Sequence, residues 1–365
     1  MTFETGRITP MLQALEALVR CESPSEDLAA CRKVVALANE IAKAELGTPA
    51  EILEVNGRPV FWWGDRAPKI VILTHLDTVW PIGSFDPIWN VDGDVIRGPG
   101  TFDMKTGFVQ ALFALKDVTG SVALIATTDE EIGSQTSREL IIEVSKNAEA
   151  VLVLEASLDG KVKTARKGTS MYTIKVIGLA AHAGLEPEKG INATTEIASQ
   201  ILKLKNLESP EHGTTVVPTL LRSGTTTNTV PAEATLDIDA RSFSQSDLER
   251  VDRAIRDLKP VNPGAKIEIS GGLNRPVLEV AATNELYEIA EAVAKELGRS
   301  PLGSAQVGGA SDGNFAAAAG ARVLDGLGAI GGGAHAPSEW ASLKGMHSQS
   351  ELLSALLKRL IKEFK

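Results

Sequence analysis

Three segments of the chain are continuously apolar, and segments with helical spacing separate them. The apolar segments are KIVILTHLD, VALIATTDEE and AVLVLEA, and each ends in polar residues. Strands that are buried on both faces show this uninterrupted pattern. Apolar spacing typical of helices occurs over residues 9–46, 104–117 and 134–148. Because buried strands alternate with helices, the pattern predicts an α/β fold with a mostly parallel sheet.

A different pattern begins near residue 170. The segment MYTIKVIG alternates apolar and polar residues, as expected of a strand with one solvated face. Predicted elements then follow in the order β-α-β-β-α-β, which is the ferredoxin-like arrangement. The α/β pattern resumes at residue 275. We therefore predict one domain from residues 1–169 and 275–365, with residues 170–274 inserted as an α+β domain.

Composition narrows the class of partner. The chain has 37 Lys and Arg against 47 Asp and Glu, a net charge of −10, which gives no long-range attraction to nucleic acid or anionic membranes. It contains no apolar run of about 18 residues, and its N-terminus lacks the features of a signal peptide. Cys21 and Cys31 suit a reduced pair. We expect a cytoplasmic protein without nucleic-acid or membrane partners.

Metal-competent side chains follow each predicted buried strand, and one more lies on a turn before a helix. These residues are His75, Asp77, Asp129, Glu130, Glu131, Glu155 and, on the turn, Asp103. His75, Asp103, Glu130, Glu131 and Glu155 should converge, because ligands bind at the carboxyl ends of strands in open α/β sheets. Crowded carboxylates raise one another's pKa unless a cation neutralises them, and one histidine with several carboxylates suits a divalent ion. Two ions sharing one carboxylate would use nearly all these acids and leave one spare.

Two pairs within this set suggest further roles. Asp77 follows His75 by two residues, so its carboxylate can accept a hydrogen bond from the ring nitrogen that does not bind metal. The alternative for Asp77 is a simple turn acid before Pro81. Glu130 and Glu131 are adjacent and should point in different directions, so one can bind metal while the other faces the attacking water.

Seven motifs then suggest a family. THLDT, GPGTFDMKTG, TTDEEIGS, LEA, AAHAG, GGASDGN and GGAHAPSE occur in this order. The ordered set resembles the zinc-dependent exopeptidase and aminoacylase family, which includes glutamate carboxypeptidase, succinyl-diaminopimelate desuccinylase and acetylornithine deacetylase. The resemblance extends over nearly the whole chain. It implies a catalytic domain with an inserted dimerisation (lid) domain, and a homodimer formed through that domain.

The resemblance also implies a site for two Zn²⁺ ions, for which Co²⁺ or Mn²⁺ can substitute. Asp103 would bridge both ions. His75 and Glu155 would complete one ion's ligands, and Glu131 and His335 those of the other. Such ions lower the pKa of water and polarise the scissile carbonyl.

Three further features are implied in the same way. Glu130 would be the general base, and the peptide bond between Asp103 and Met104 would be cis. His182, in the inserted domain, would reach the partner subunit's active site and stabilise the oxyanion there. The alternative for His182 is a loop residue that caps the helix after Asn192.

Substrate residues are implied less specifically. Arg275 resembles an arginine that grips the substrate α-carboxylate, while Asn228 and Arg241 resemble other substrate-side positions. Lys167 would add positive charge, and the alternative for Arg241 is a salt bridge at a strand end. GGASDGN is expected to form a nest of backbone N–H groups near the substrate, or else a flexible turn.

The implied reaction is hydrolysis of an amide next to a free carboxylate, which releases a C-terminal amino acid such as glutamate. Glu155 and Arg275 favour this carboxypeptidase, whereas GGASDGN and Val277 keep open a deacetylase or desuccinylase acting on N-acyl amino acids. A catalytically inactive binding relative is disfavoured, because every ligand position and the base are filled. A dehydrogenase is disfavoured too, because the G-x-G-x-x-G at 326–331 is not followed by a helix.

Overall fold

The computed structural model describes residues 5–364, with side chains from residue 9 onward. The expectation that no signal peptide is present falls partly on residues 1–4, which lie outside the described residues. The helices are α1 Thr5–Arg20, α2 Leu28–Leu46, α3 Thr106–Leu115, α4 Arg138–Ser145, α5 Ala193–Lys205, α6 Gln245–Arg256, α7 Val280–Glu296, α8 Asp312–Ala318 and α9 Leu343–Glu363. The strands are β1 Glu51–Val55, β2 Arg58–Gly64, β3 Ile70–His75, β4 Asn90–Asp92, β5 Val95–Arg97, β6 Val122–Thr127, β7 Ala150–Val153, β8 Val162–Arg166, β9 Gly168–Ile177, β10 Thr215–Ser223, β11 Glu233–Ser242, β12 Lys266–Arg275, β13 Ser304–Val307, β14 Val323–Leu324, β15 Gly331–Gly332 and β16 Trp340–Ser342.

The chain divides into two compact units. The second unit consists of Arg166–Leu278 together with Gly308–Ala310, and the first unit contains the residues before and after them. The insertion expected at 170–274 therefore lies a few residues inside the bounds of the second unit. Its part in dimerisation stays a prediction.

The first unit is built on a six-stranded sheet in the order β1-β2-β6-β3-β7-β14. β6, β3, β7 and β14 run parallel, while β1 and β2 form an antiparallel edge. The prediction of a mostly parallel sheet is confirmed. β3, β6 and β7 are buried along their whole length, which explains their unbroken apolar sequences. Their carboxyl ends meet at one edge of the sheet.

The helical spacing over residues 9–46 belongs to two helices rather than to one continuous helix, because a loop separates α1 from α2. Pro24, within that loop, has no backbone N–H to continue a helix. Asp27 then starts α2 as its N-cap, and its carboxylate accepts a hydrogen bond from the Ala30 N–H at 2.9 Å. The loop lies against the segment after β3, since the Thr78 N–H donates to the Ser23 carbonyl at 2.9 Å.

The second unit is a four-stranded antiparallel sheet in the order β10-β11-β9-β12, with α5 and α6 contributing to its core. The elements follow one another as β9-α5-β10-β11-α6-β12, the β-α-β-β-α-β order predicted from the sequence. From Tyr172 to Ile177 the residues of β9 alternate between buried and half-buried, because only one face of the sheet packs on the helices.

Smaller features complete the fold. A second sheet of the first unit, in the order β15-β16-β5-β4, borders the loop that carries His335. Gly331, the third glycine of the G-x-G-x-x-G sequence, begins the short strand β15. Cys21 and Cys31 are both free thiols. Within residues 5–364, none of the helices combines the length and the apolar character that crossing a membrane requires.

Candidate metal centre

Five side chains of the first unit converge at the carboxyl edge of the main sheet. His75 is the last residue of β3, and Glu155 lies two residues beyond β7. Glu131 lies on a short helical turn, Glu130–Ile132, that follows β6. Asp103 lies on the turn before α3, and His335 comes from the loop between β15 and β16.

The convergent atoms form two groups that share one carboxylate. His75 Nε2 lies 3.2 Å from Asp103 Oδ1 and 3.5 Å from Glu155 Oε1. His335 Nε2 lies 3.0 Å from Glu131 Oε2 and 3.5 Å from Asp103 Oδ2. In each group the candidate ligand atoms lie within 4.8 Å of one another. Asp103 therefore directs one oxygen into each group, as a bridging ligand must.

The donor set fits a pair of divalent cations. Each group offers one imidazole nitrogen and two carboxylates, a set that Zn²⁺ and similar borderline ions accept. Burying carboxylates without a cation is costly, and burial raises the pKa of Glu131 to about 7. The chemistry of these residues therefore matches two metal ions that share Asp103.

The imidazoles and the shared carboxylate polarise one another. Burial opposes protonation of His75, but its contacts with Asp103, Asp77 and Glu155 outweigh burial and raise its pKa well above the usual value. The pKa of Asp103 is lowered, because hydrogen bonds from His335 and His75 outweigh burial. The carboxylates of Asp103 and Glu131 raise the pKa of His335 to about 10. The site therefore attracts positive charge strongly.

Asp77 is fully buried beneath His75. His75 Nδ1 lies closest to the Asp77 carbonyl oxygen, at 3.1 Å, while Asp77 Oδ1 is 3.4 Å away. The other carboxylate oxygen accepts from Ser25 Oγ at 2.7 Å and from the Glu131 N–H at 3.2 Å. Asp77 thus contacts His75 through its backbone carbonyl and, at the longer distance, through its carboxylate, and it also ties the Glu131 turn to the end of β3.

Glu339 is a functional residue that the sequence reasoning missed. Its side chain is fully buried and accepts four hydrogen bonds. Oε1 accepts from the Phe102 and Asp103 N–H groups at 2.9 and 3.2 Å. Oε2 accepts from Trp80 Nε1 at 2.8 Å and from the Gly100 N–H at 3.2 Å. Glu339 therefore fixes the turn that carries Asp103, whose peptide bond to Met104 is cis as the resemblance implies.

His335 reaches the centre from a strained loop. Its φ is +59°, in the left-handed region that residues other than glycine rarely adopt. The Ala336 N–H donates to the Gly333 carbonyl at 2.9 Å, and the Glu339 N–H donates to the Ala336 carbonyl at 2.8 Å. These bonds close the loop into tight turns that hold His335 and Glu339 in a fixed relation.

Glu130 precedes Glu131 on the same turn and lines a small cavity with His75, Glu155 and Asp312. Asp312, the first residue of α8, accepts hydrogen bonds from Ser134 Oγ and, at 3.3 Å, from Thr127 Oγ1. It belongs to GGASDGN, in which the Ser311 and Asn314 side chains form a capping box at the start of α8. The second half of that segment is therefore a capped helix start, and the expected nest of N–H groups near the substrate stays a prediction.

Asp129, which was grouped with the candidate ligands, stabilises the neighbouring loop. It is buried, and its carboxylate accepts from the Thr136 and Ser137 N–H groups at 2.7 and 3.1 Å. Neither of the two ligand groups contains it.

The predicted His182 and Asn228 lie in the second unit and are exposed. His182 Nδ1 accepts from the Gly184 and Leu185 N–H groups, both at 3.1 Å. Because Nδ1 accepts, the neutral ring carries its proton on Nε2, and this nitrogen is the donor of the exposed residue. Asn192 itself caps α5 with its side chain, so the capping alternative for His182 is wrong. The Asn228 carbonyl accepts from the Ala183 N–H at 2.9 Å.

The predicted cationic residues of the second unit differ in their surroundings. Arg241 makes two hydrogen bonds of 2.8 Å to the Asp239 carboxylate, which confirms the salt-bridge alternative. Lys167 Nζ lies 5.3 Å from the centre of the Phe243 ring, and burial lowers the pKa of this lysine. Arg275, at the end of β12, is buried.

A fold of this kind, with two ligand groups that share a carboxylate, defines a metal-dependent hydrolase. The family model "Peptidase family M20/M25/M40" matches residues 71–359, and the chain belongs to this family. The chain is therefore a hydrolytic enzyme of the exopeptidase and amidohydrolase class.

Individual relatives agree with this assignment. Carboxypeptidase G2 of Pseudomonas sp. is 30% identical over 285 residues, which cover 74% of this chain and 69% of that protein. A succinyl-diaminopimelate desuccinylase of Sulfurovum sp. is 27% identical, covering 82% and 84%. Among solved structures, a Staphylococcus aureus tripeptidase has a TM-score of 0.78 at 21% identity, covering 98% and 99%. An M20 family metallo-carboxypeptidase from Sulfolobus solfataricus has a TM-score of 0.73 at 18% identity, covering 95% and 98%.

The contacts of Glu339 generate a prediction about stability. In Glu339→Gln an amide NH₂ group replaces one carboxylate oxygen. The N–H groups that donate to that oxygen then face another donor and lose their acceptor. We expect the free energy of unfolding to fall by about 1–3 kcal/mol, measured by urea denaturation of the metal-free protein. The matched control is Glu139→Gln, whose side chain is 77% exposed and should change stability by less than about 0.5 kcal/mol. Equal stability of the two variants would contradict the role of Glu339.

Proposed function

We propose that the protein is a two-zinc hydrolase that cleaves an amide bond next to a free carboxylate. It would release a C-terminal amino acid, such as glutamate, from a peptide or an N-acyl amino acid. The observation that carries the proposal is the shared carboxylate of Asp103, with an imidazole and a second carboxylate on either side of it. The location proposed for this activity is the cytoplasm, without nucleic-acid or membrane partners.

The residues that would hold the two ions follow from the two groups. His75, Glu155 and Asp103 would hold the first, and Glu131, His335 and Asp103 the second. When bound, two divalent ions lower the pKa of water and polarise the substrate carbonyl. Zinc is proposed because of the mixed nitrogen and oxygen donors, and Co²⁺ or Mn²⁺ can take the same sites.

Glu130 is the proposed general base. It lines the cavity beside His75 and Glu155 and belongs to neither ligand group, so it lies next to the metal centre without being one of the candidate ligands. A carboxylate oxygen of Glu130 would take a proton from the attacking water and pass it to the leaving nitrogen. Asp77 supports this arrangement by holding His75 and the Glu131 N–H together.

His182 is proposed to act across a homodimer that forms through the second unit. Its Nδ1 is held by two backbone N–H groups, so Nε2 carries the proton and the ring is preoriented as a hydrogen-bond donor. Such a donor can stabilise the negative oxygen that develops during amide hydrolysis. Donation from a partner subunit would make the dimer necessary for full activity.

Recognition of the substrate carboxylate is assigned to Arg275, whose guanidinium can bind a carboxylate in a bidentate manner. Asn228 and Lys167 are secondary candidates. Arg241, whose guanidinium binds Asp239, is a further candidate. The similarity to succinyl-diaminopimelate desuccinylases supports a second function, removal of an acyl group from an N-acyl amino acid.

A substrate panel tests the proposed reaction. Zinc-loaded and cobalt-loaded protein would be assayed against dipeptides and N-acyl amino acids with varied C-terminal residues. We expect release of the C-terminal amino acid, with glutamate among the fastest, and loss of cleavage when the C-terminal carboxylate is amidated. No hydrolysis of any member, or equal hydrolysis of the amidated members, would contradict the proposal.

The role of Glu130 predicts a separation of activity from metal binding. Glu130→Ala should lower kcat by at least about 100-fold, because proton transfer from water is lost. Its metal content, measured by inductively coupled plasma mass spectrometry, should equal that of the unaltered protein. Glu139→Ala, at an exposed position, serves as control. Near-normal turnover in Glu130→Ala would overturn the assignment.

The role of His182 predicts a loss of turnover without loss of metal. His182→Ala should lower kcat by about 100-fold or more, because one oxyanion donor is removed. His212→Ala, at another exposed histidine of the second unit, should keep full activity. Sedimentation analysis gives the oligomeric state of both variants. A fully active monomer would refute donation from a partner subunit.

A further inference from the structure

A cleft of about 830 Å³ opens on the first unit beside the candidate metal centre. We call it the Ile82 cleft, and its apolar wall consists of Leu28, Val79, Pro81, Ile82 and Ile132. Three of these side chains are unusually accessible for their type, since Leu28 is 42%, Val79 38% and Ile82 60% exposed. A cluster of exposed apolar residues in a concave surface is typical of a binding site.

The cleft is continuous with the metal centre through shared residues. Glu131 lines the cleft, while its carboxylate lies 3.0 Å from His335 Nε2. Ser25 also lines the cleft, and its hydroxyl donates to the carboxylate of Asp77, which lies beneath His75. The cleft therefore borders the candidate metal centre on the side of Glu131.

The wall that carries Ile82 is held in place by hydrogen bonds. Ile82 lies in a tight turn in which the Ser84 N–H donates to the Pro81 carbonyl at 3.1 Å. Gly83 adopts a left-handed φ of 74°, and its N–H donates to both carboxylate oxygens of Glu22, at 2.9 and 3.1 Å. The exposed isoleucine is thus presented by an ordered turn, as a preformed pocket requires.

The charges of the cleft are of one sign. Among the side chains that the structure describes, the lining of the cleft includes Glu26 and Asp27 in addition to Glu131, and it contains no Lys, Arg or His. A metal ion would neutralise Glu131 in the zinc-loaded protein, but Glu26 and Asp27 would still repel an anionic group, which would lose hydration without a cationic side chain of the lining beside it. The half of the substrate that keeps its free carboxylate is therefore unsuited to the cleft.

We propose that the Ile82 cleft binds the acyl half of the substrate and selects an apolar acyl group without negative charge. This inference rests on the proposed amide hydrolysis, and it adds which acyl groups the enzyme accepts. It favours hydrophobic acyl or aminoacyl groups and disfavours dicarboxylic ones such as succinyl. The similarity to carboxypeptidases and desuccinylases leaves both functions open, and a cleft that disfavours succinyl groups favours the carboxypeptidase function.

The test uses two acyl groups of nearly equal shape that differ in charge. N-(4-methylpentanoyl) and N-succinyl derivatives would be made of the amino acid that the substrate panel shows to be released fastest. For the unaltered zinc-loaded enzyme, we expect kcat/KM to be at least about tenfold higher for the 4-methylpentanoyl compound. In Ile82→Lys this ratio should fall at least about tenfold, because the cleft gains a cation and loses apolar surface.

The matched control is Ile52→Lys, which places the same charge at an isoleucine of β1 that is 40% exposed and lies outside the cleft. It should keep the ratio of the unaltered enzyme. Ile82→Ala, which adds no charge, should lower kcat/KM for the 4-methylpentanoyl compound, because the cleft loses apolar surface. If the enzyme prefers succinyl, or if Ile82→Lys and Ile52→Lys give the same ratio, the inference is wrong while the proposed hydrolysis stands. If no amide substrate is cleaved, the proposed function itself fails, and the inference fails with it.

Discussion

The candidate metal centre depends on the carboxylate of Asp103, because both ligand groups contain it. Its two oxygens face two different imidazoles, His75 and His335, and each imidazole has a further carboxylate as neighbour. Such crowding of buried anions is unfavourable unless cations neutralise it, so the chain must hold these groups against their mutual repulsion. Glu339 contributes directly, because its four hydrogen bonds fix the turn from which Asp103 projects.

The parallel sheet supplies most of the remaining rigidity. β3, β6 and β7 are buried on both faces, so the segments that follow them start from fixed positions. Those segments place His75, the Glu131 turn and Glu155 at one edge without requiring long side chains to reach across. The second imidazole comes from a loop instead, and its left-handed backbone indicates that the surrounding turns force its position. The Ile82 cleft uses the same edge, because its wall follows β3.

The sequence predicted much of this architecture, because its signals are local. Unbroken apolar runs identify buried strands, and their carboxyl ends meet whatever the details of packing. Glu339 was missed because its bonds to the Gly100–Asp103 turn span more than 200 residues, and nothing near it in the sequence marks a buried acceptor. The loop at Pro24 was missed because the apolar spacing on either side suits helices. The salt bridge of Arg241 could be anticipated because its partner, Asp239, lies only two residues away. The contacts of the Asp77 carboxylate could not, because they involve Ser25, which is distant in the sequence.

Anomalous X-ray diffraction at the zinc absorption edge tests whether Asp103 bridges two metal ions. Crystals of the zinc-loaded protein should show two anomalous peaks at this edge of the sheet. One peak should lie between His75, Glu155 and Asp103, and the other between Glu131, His335 and Asp103. Only one peak, or two peaks that do not share Asp103, would contradict the account.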